Sequence, residues 1–224
     1  MPEHASEPVG GFRSTATSTV HSWALWSLVR GEFTDPDGAS FVRSFVTSPG
    51  AVGVVALHGA ATGSSAAEGA GGASRASGAD GASGAGGASG ADVMGYEVVL
   101  VRQYRPALHR LTLELPAGMR DVEGEEPLLT AQRELREEVG LEASQWTRLG
   151  RHVSAPGISD SRVEIFLARN LREVGFDRHG PEERHMTIER VALADALAMV
   201  TDGRIDDAKT VIGLLLTERL LRTG

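Results

Sequence analysis

The chain has 224 residues, a formal net charge of −8 and no cysteine. That length suits one domain with additions, the negative balance argues against a nucleic-acid backbone as the main ligand, and without cysteine neither disulfides nor thiolate chemistry is open to it. No apolar run approaches the roughly 20 residues that span a bilayer, and the first residues show no basic segment ahead of an apolar core, so the expected setting is the cytoplasm, with no membrane partner.

Residues 1–18 are small and polar and read as a flexible tail, leaving 19–224 as a single domain. From Val20 to Val46 apolar residues alternate loosely around Asp35-Pro36-Asp37-Gly38, a turn signal, which predicts a β-hairpin or a pair of strands. Trp23 and Trp26 would point opposite ways on one strand, one toward a core and the other toward an interface or an aromatic ligand. Ala51 to Leu57 reads as a buried strand and Tyr96 to Tyr104 as its partner. Between them residues 59–95 are almost wholly Gly, Ala and Ser, with too little apolar surface to offset the entropy of ordering. They are expected to form a disordered insertion at a hairpin tip.

Leu111 to Leu115 leads into Pro116-Ala117-Gly118, and a helix of roughly three turns follows, with Pro127 in its first turn and Gly140 just past its end. Leu128, Leu135 and Val139 fall on one face of it, and Glu134, Glu137 and Glu138 on another. Like charges three and four residues apart cost roughly 0.2–0.5 kcal/mol per pair. Arg133, four residues before Glu137, can hold one carboxylate. The remaining charge suits either a solvated acidic face or a hard divalent cation with oxygen ligands. Beyond the helix, Trp146 to Val153 and Val163 to Ala168 are strand candidates separated by Ser154 to Asp160. Leu171 to His185 reads as a polar loop, Met186 to Val191 as a short strand, Leu193 to Val200 as a helix closed by Gly203, and Asp206 to Arg222 as a final helix.

Gly118, Glu125, Arg133-Glu134-Leu135, Glu137-Glu138 and Gly140-Leu141 resemble the Nudix box, Gly-x5-Glu-x7-Arg-Glu-apolar-x-Glu-Glu-x-Gly-apolar, with one extra residue between Gly118 and Glu125. Gln103-Tyr104-Arg105, Glu114-Leu115-Pro116-Ala117-Gly118 and Ala155-Pro156-Gly157 look like the ADP-ribose pyrophosphatase group of that superfamily. The resemblance implies an α/β Nudix fold, a mixed sheet sandwiched between helices, with an N-terminal hairpin exchanged across a homodimer. It implies Mg²⁺-dependent hydrolysis (Mn²⁺ being the other candidate) of the pyrophosphate of ADP-ribose to AMP and ribose 5-phosphate. Metal ligands would be Glu134, Glu137, Glu138 and the carbonyl of Ala117, with Arg133 orienting the carboxylates. Glu183 best fits the position of the general base, ahead of Glu182, and His185 is a third titratable candidate. Trp26 and Arg43 would sandwich the adenine across the dimer. Arg105 would contact phosphate and Glu114 ribose or a neighbouring arginine, and Gly118 and Gly157 complete the substrate-binding set. Leu113 and Ser161 stand where relatives often carry tryptophan and glutamate. These departures keep a second expectation alive, a Nudix hydrolase for another nucleoside diphosphate sugar or an oxidised nucleotide. A non-catalytic Nudix-like sensor is the third, disfavoured because all three carboxylates are present.

Overall fold

The computed structural model describes residues 8–59, 95–176 and 184–223. Strands β1 (Arg13–Trp23), β2 (Trp26–Thr34) and β3 (Ser40–Thr47) form an antiparallel three-stranded sheet in that order. The first of them corrects the sequence reading, because strand begins at Arg13, inside the stretch taken for a tail. Its run of Thr15, Thr17, Thr19 and Val20 is β-branched at alternate or adjacent positions, and the strand pairs with β2 from Arg13↔Thr34 to Trp23↔Trp26, with irregularities at Thr15 and Val20. The turn at Asp35 to Gly38 forms as expected, with the Asp35 Oδ1 accepting the amides of Asp37 at 3.0 Å and Ala39 at 2.8 Å. A second, unexpected turn lies at Ala24-Leu25, where Ala24 adopts φ 44°. It places Trp23 directly opposite Trp26, so the two indoles share a face instead of pointing apart.

The larger sheet comprises β4 (Ala51–His58), β5 (Glu97–Arg105), β6 (Arg110–Glu114), β7 (Ala117–Met119), β8 (Leu141–Val153), β9 (Arg162–Glu173) and β10 (Thr187–Ala192). Its order is β10-β5-β4-β9-β8, with β6 beside β5 and β7 beside β4. Strands β4 and β9 run parallel and the other pairs antiparallel, which gives the mixed sheet expected. Helix α1 (Pro127–Val139) covers one face, and α2 (Leu193–Thr201) and α3 (Ala208–Thr223) cover the other. The pleat of β4 explains both layers. Val52, Val54 and Ala56 meet Ala131, Leu135 and Val139 of α1, while Val55 and Leu57 meet Leu193, Ala196 and Leu214 of the other two helices. A strand buried on both faces carries a continuous apolar run instead of an alternating one.

Two boundaries differ from expectation. Strand β8 begins at Leu141, directly after α1, and β9 continues to Glu173, three residues into the expected polar loop. Both extensions come from pairing, since Leu141, Glu142 and Ala143 face Glu173, Arg172 and Leu171 across the ladder. The insertion, apart from its first and last residues, lies outside the described residues, as does 177–183. Leu135 is fully buried where α1 meets the sheet. Leu135→Ala is expected to lower the unfolding free energy by about 2–5 kcal/mol, measured by urea denaturation.

Candidate active site

Helix α1 owes its ends to the residues foreseen for them. Pro127 occupies the first turn, and Gly140 at φ 66° turns the chain out through the left-handed region, its N–H bonding back to the last carbonyls. Burial of Leu135 and Val139, with Leu128 packed against the same cluster, fixes the rotation of the helix. The acidic face then lies over β7. Glu138 Oε2 accepts the Ala117 amide at 2.8 Å. Gly118 lies so close to Glu134 that a Cβ there would stand 1.9 Å from the carboxyl carbon. Only glycine leaves room for that carboxylate, which gives Gly118 a steric meaning.

Arg133 is the hub of the acidic cluster. Its Nη1 donates to Glu134 Oε1 at 2.9 Å and Glu137 Oε2 at 3.1 Å, and its Nη2 to Asp121 Oδ1 at 3.0 Å and Glu125 Oε2 at 3.4 Å. Burial opposes its charge, but the carboxylates of Glu134, Glu125 and Glu137 outweigh that and hold the guanidinium firmly protonated. Thr130 Oγ1 donates to Glu125 at 2.8 Å and fixes it in turn. Among the described residues no group of three acidic or histidine side chains is gathered at metal-ligand spacing. Arg133 bonds Glu134 and Glu137, and the Ala117 amide bonds Glu138. The donor set nevertheless fits a hard divalent cation. All its atoms are oxygens, from three carboxylates and the Ala117 carbonyl, and two of the carboxylates, Glu134 and Glu138, are buried, where like charges need a countercharge.

Opposite the helix, Arg105 grips Glu114 through a two-point fork, Nε to Oε1 at 2.8 Å and Nη2 to Oε2 at 2.7 Å. Glu114 is 2 % exposed. It also accepts Thr112 Oγ1 at 2.5 Å and an ion pair from Lys209. Burial alone would raise the Glu114 pKa, yet Arg105, Lys209 and Thr112 together hold it down at about 2 against an ordinary 4.5. A carboxylate depressed on folding stabilises the folded state above its unfolded pKa, and that contribution is lost as pH falls toward the folded value. Between pH 5 and pH 2 the wild type should therefore lose on the order of 3 kcal/mol that Glu114→Gln does not lose, read as the pH dependence of urea unfolding in the two proteins.

A cleft of about 510 Å³ brings Ala117, Gly118, Arg133, Glu134, Glu137, Glu138 and Arg105 to one surface, and Leu25, Gln103 and Tyr104 also line it. A hollow of about 780 Å³ shares Arg133 and Glu137 but runs along the outer side of α1 to Trp146 and Phe176. It holds neither the Glu134 and Glu138 carboxylates nor the Ala117-Gly118 seat, so the smaller cleft is the candidate site. Three expected contacts are not brought to it within one chain. Trp26 and Arg43 lie on the three-stranded sheet, where Arg43 pairs with Gly31 and stacks its guanidinium 5.1 Å from the Phe41 ring. Gly31 is five residues along β2 from Trp26, about 17 Å at strand rise, so a single protomer cannot close both on one base. Gly157 lies in a loop tied to β3, with Val46 N–H donating to Ile158 O at 2.8 Å. Glu183 and Glu182 lie outside the described residues. Leu113 is buried in the core and Ser161 bonds within its own loop, to Ser159.

Sequence reasoning missed Lys209, Asp207, Thr210, Thr112 and Asp121. Asp207 carried a legible signal, an acidic residue ahead of a helix whose Oδ2 accepts the Thr210 amide at 3.0 Å. That the same turn reaches Glu114, 95 residues away in sequence, had none.

Sequence and structure converge on one class, an α/β domain presenting a carboxylate-rich helix over a glycine seat. The NUDIX domain family model matches residues 89–212, and the chain belongs to that family. It is 35% identical over 204 residues to an ADP-ribose pyrophosphatase of Mycobacterium tuberculosis, covering 91% of this chain and 82% of that protein. It is 36% identical over 118 residues to an ADP-ribose pyrophosphatase of Bacillus subtilis, covering 53% of this chain and 63% of that protein's length. A solved structure described as an ADP compounds hydrolase superposes with a TM-score of 0.70 over 97% of both chains at 20% identity, a likeness of fold.

Proposed function

We propose that this Nudix pyrophosphohydrolase splits ADP-ribose into AMP and ribose 5-phosphate. The observation that carries the proposal is the cleft itself, which sets the acidic face of α1 across from the Arg105–Glu114 fork. Similarity to an ADP-ribose pyrophosphatase along nine-tenths of the chain supports the substrate. Water adds to a phosphorus atom, the bridging P–O bond breaks, and the departing phosphate takes the electron pair.

Glu134, Glu137 and Glu138, with the carbonyl of Ala117, would hold Mg²⁺, or Mn²⁺ in its place. When bound, the ion neutralises phosphate charge and lowers the pKa of water. Arg133 keeps the carboxylates in fixed rotamers through its bonds to Glu134 and Glu137. Glu183 is our candidate for the base that takes the water's proton. Arg105 presents a half-exposed guanidinium to the cleft, suited to a phosphate oxygen, while Gly118 leaves room at the cleft for the Glu134 carboxylate.

We place the enzyme in the cytoplasm and infer that it works as a homodimer, with adenine between Trp26 of one protomer and Arg43 of the other. Exposure of Val20, Trp23 and Val42 on the three-stranded sheet supports such an interface. The test of substrate is kcat/KM for ADP-ribose beside GDP-mannose, ADP-glucose and an 8-oxo-purine nucleotide. ADP-ribose is expected to lead by at least about tenfold. A lead for another compound transfers the same site to the second reading.

A further inference from the structure

We propose that Lys209, in the first turn of α3, is a positioning residue that acts through Glu114 to hold Arg105 ready for the substrate's phosphates. The inference rests on the functional reading above, because it takes an anionic diphosphate as what Arg105 meets.

The arrangement is layered. Arg105 stands toward the cleft with its side chain 42% exposed, Glu114 lies behind it at 3%, and Lys209 lies behind that at 13%. Lys209 Nζ bonds Glu114 Oε2, the oxygen that Arg105 Nη2 also takes. The lysine stem passes over β4 at Gly53, where a Cβ would stand 3.8 Å from Lys209 Cδ. Asp207 Oδ2 accepts Lys209 Nζ at 3.0 Å and Thr210 Oγ1 at 2.6 Å, and so sets the whole turn. The Thr210 hydroxyl oxygen in turn accepts the Leu115 amide at 2.9 Å. One helical turn thus grips Glu114 and Leu115, the two residues that lead into Pro116-Ala117-Gly118 and the seats of Glu138 and Glu134.

A buried carboxylate facing a single arginine draws that arginine's charge to itself. Sharing Glu114 between two cations leaves more of the Arg105 charge for a ligand, and the fork keeps the guanidinium plane fixed. Loss of Lys209 leaves Arg105 alone to neutralise Glu114, so less of the Arg105 charge is open to an anionic substrate. The change acts on the substrate as it binds and little on the later chemistry.

In the full-length protein with ADP-ribose and Mg²⁺, Lys209→Met is expected to raise KM about tenfold and to change kcat by less than about threefold. Lys209→Arg, which keeps the charge, should recover most of the loss. In a Glu114→Gln background the same Lys209→Met change should add less than about twofold, because the coupling runs through Glu114. Lys209→Gln, which removes charge but keeps a donor, carries the comparison should the methionine variant fail to fold. Equal effects of Lys209→Met with and without Glu114, or a lowered Tm with KM unchanged, would overturn the role and leave Lys209 a structural residue. If the wild type binds ADP-ribose without cleaving it, the same ratios read as calorimetric Kd decide the matter. An active wild type indifferent to Lys209 rejects this inference alone, whereas a wild type that neither binds nor cleaves ADP-ribose rejects both readings.

Discussion

Glu138→Gln is expected to lower AMP release from ADP-ribose by about three orders of magnitude while leaving Tm close to that of the wild type. The substitution removes one charge and little else. Glu138 is 5 % exposed, and its Oε2 accepts the Ala117 amide at 2.8 Å, a bond that the amide oxygen of glutamine can also accept. What glutamine cannot do is offer an anionic oxygen to a divalent cation. The loss should fall on kcat, because the charge acts where negative charge builds at the reacting phosphate. Retention of more than a tenth of the wild-type rate would remove Glu138 from the proposed ligand set.

Gly118→Ala should cost at least about a hundredfold in kcat/KM, since displacing a catalytic group by 1 Å is enough for a loss of that size. The added methyl would occupy space now held by Glu134, 1.9 Å from its carboxyl carbon and 2.1 Å from Oε1. Either that carboxylate leaves its bond to Arg133 or β7 shifts away from α1 and takes the Ala117–Glu138 bond with it. Both outcomes misplace a proposed ligand. A crystal structure of the variant with Glu134 unmoved and full activity would show that the seat is not required.

The helix was legible because every determinant of it is local. Pro127 and Gly140 mark its ends, Leu135 and Val139 its buried side, and Glu134, Glu137 and Glu138 the side turned to the cleft. The i,i+4 pair of Arg133 and Glu137 also follows from helix geometry and is present. The strands of the main sheet were legible where they are apolar, as in β4, and were read short where pairing alone extends them, as at the end of β9. Strand β1 was missed for a related reason. Its residues are exposed almost throughout, so it shows no buried period, and only pairing with β2 makes it a strand. The turn at Ala24-Leu25 carries neither glycine nor proline, so nothing in the text separates Trp23 from Trp26.

In the site, the acidic helix was open to reading, but its partners from other elements were not. Arg105 was expected on phosphate and Glu114 on ribose or a neighbouring arginine; the arginine that Glu114 meets is Arg105 itself, through a fork. The second cation on Glu114 comes from a helix 95 residues further along, and only the packing of α3 against the sheet brings it there. The same limit applies to Trp26 and Arg43. A sequence shows an aromatic ring and an arginine on neighbouring strands, but the separation along β2 decides that one chain cannot close them on a single base.

The central claim is that the acidic face of α1 works as a divalent-metal site for hydrolysis of a nucleoside diphosphate sugar. The most direct test is AMP release from ADP-ribose by the wild-type protein with Mg²⁺, after chelation with EDTA, and after Mg²⁺ is restored in excess. Stoichiometric AMP and ribose 5-phosphate with Mg²⁺, none in EDTA and full recovery on restoration is the predicted result. Equal release in EDTA, or no hydrolysis of any nucleoside diphosphate sugar under any metal condition, would contradict it.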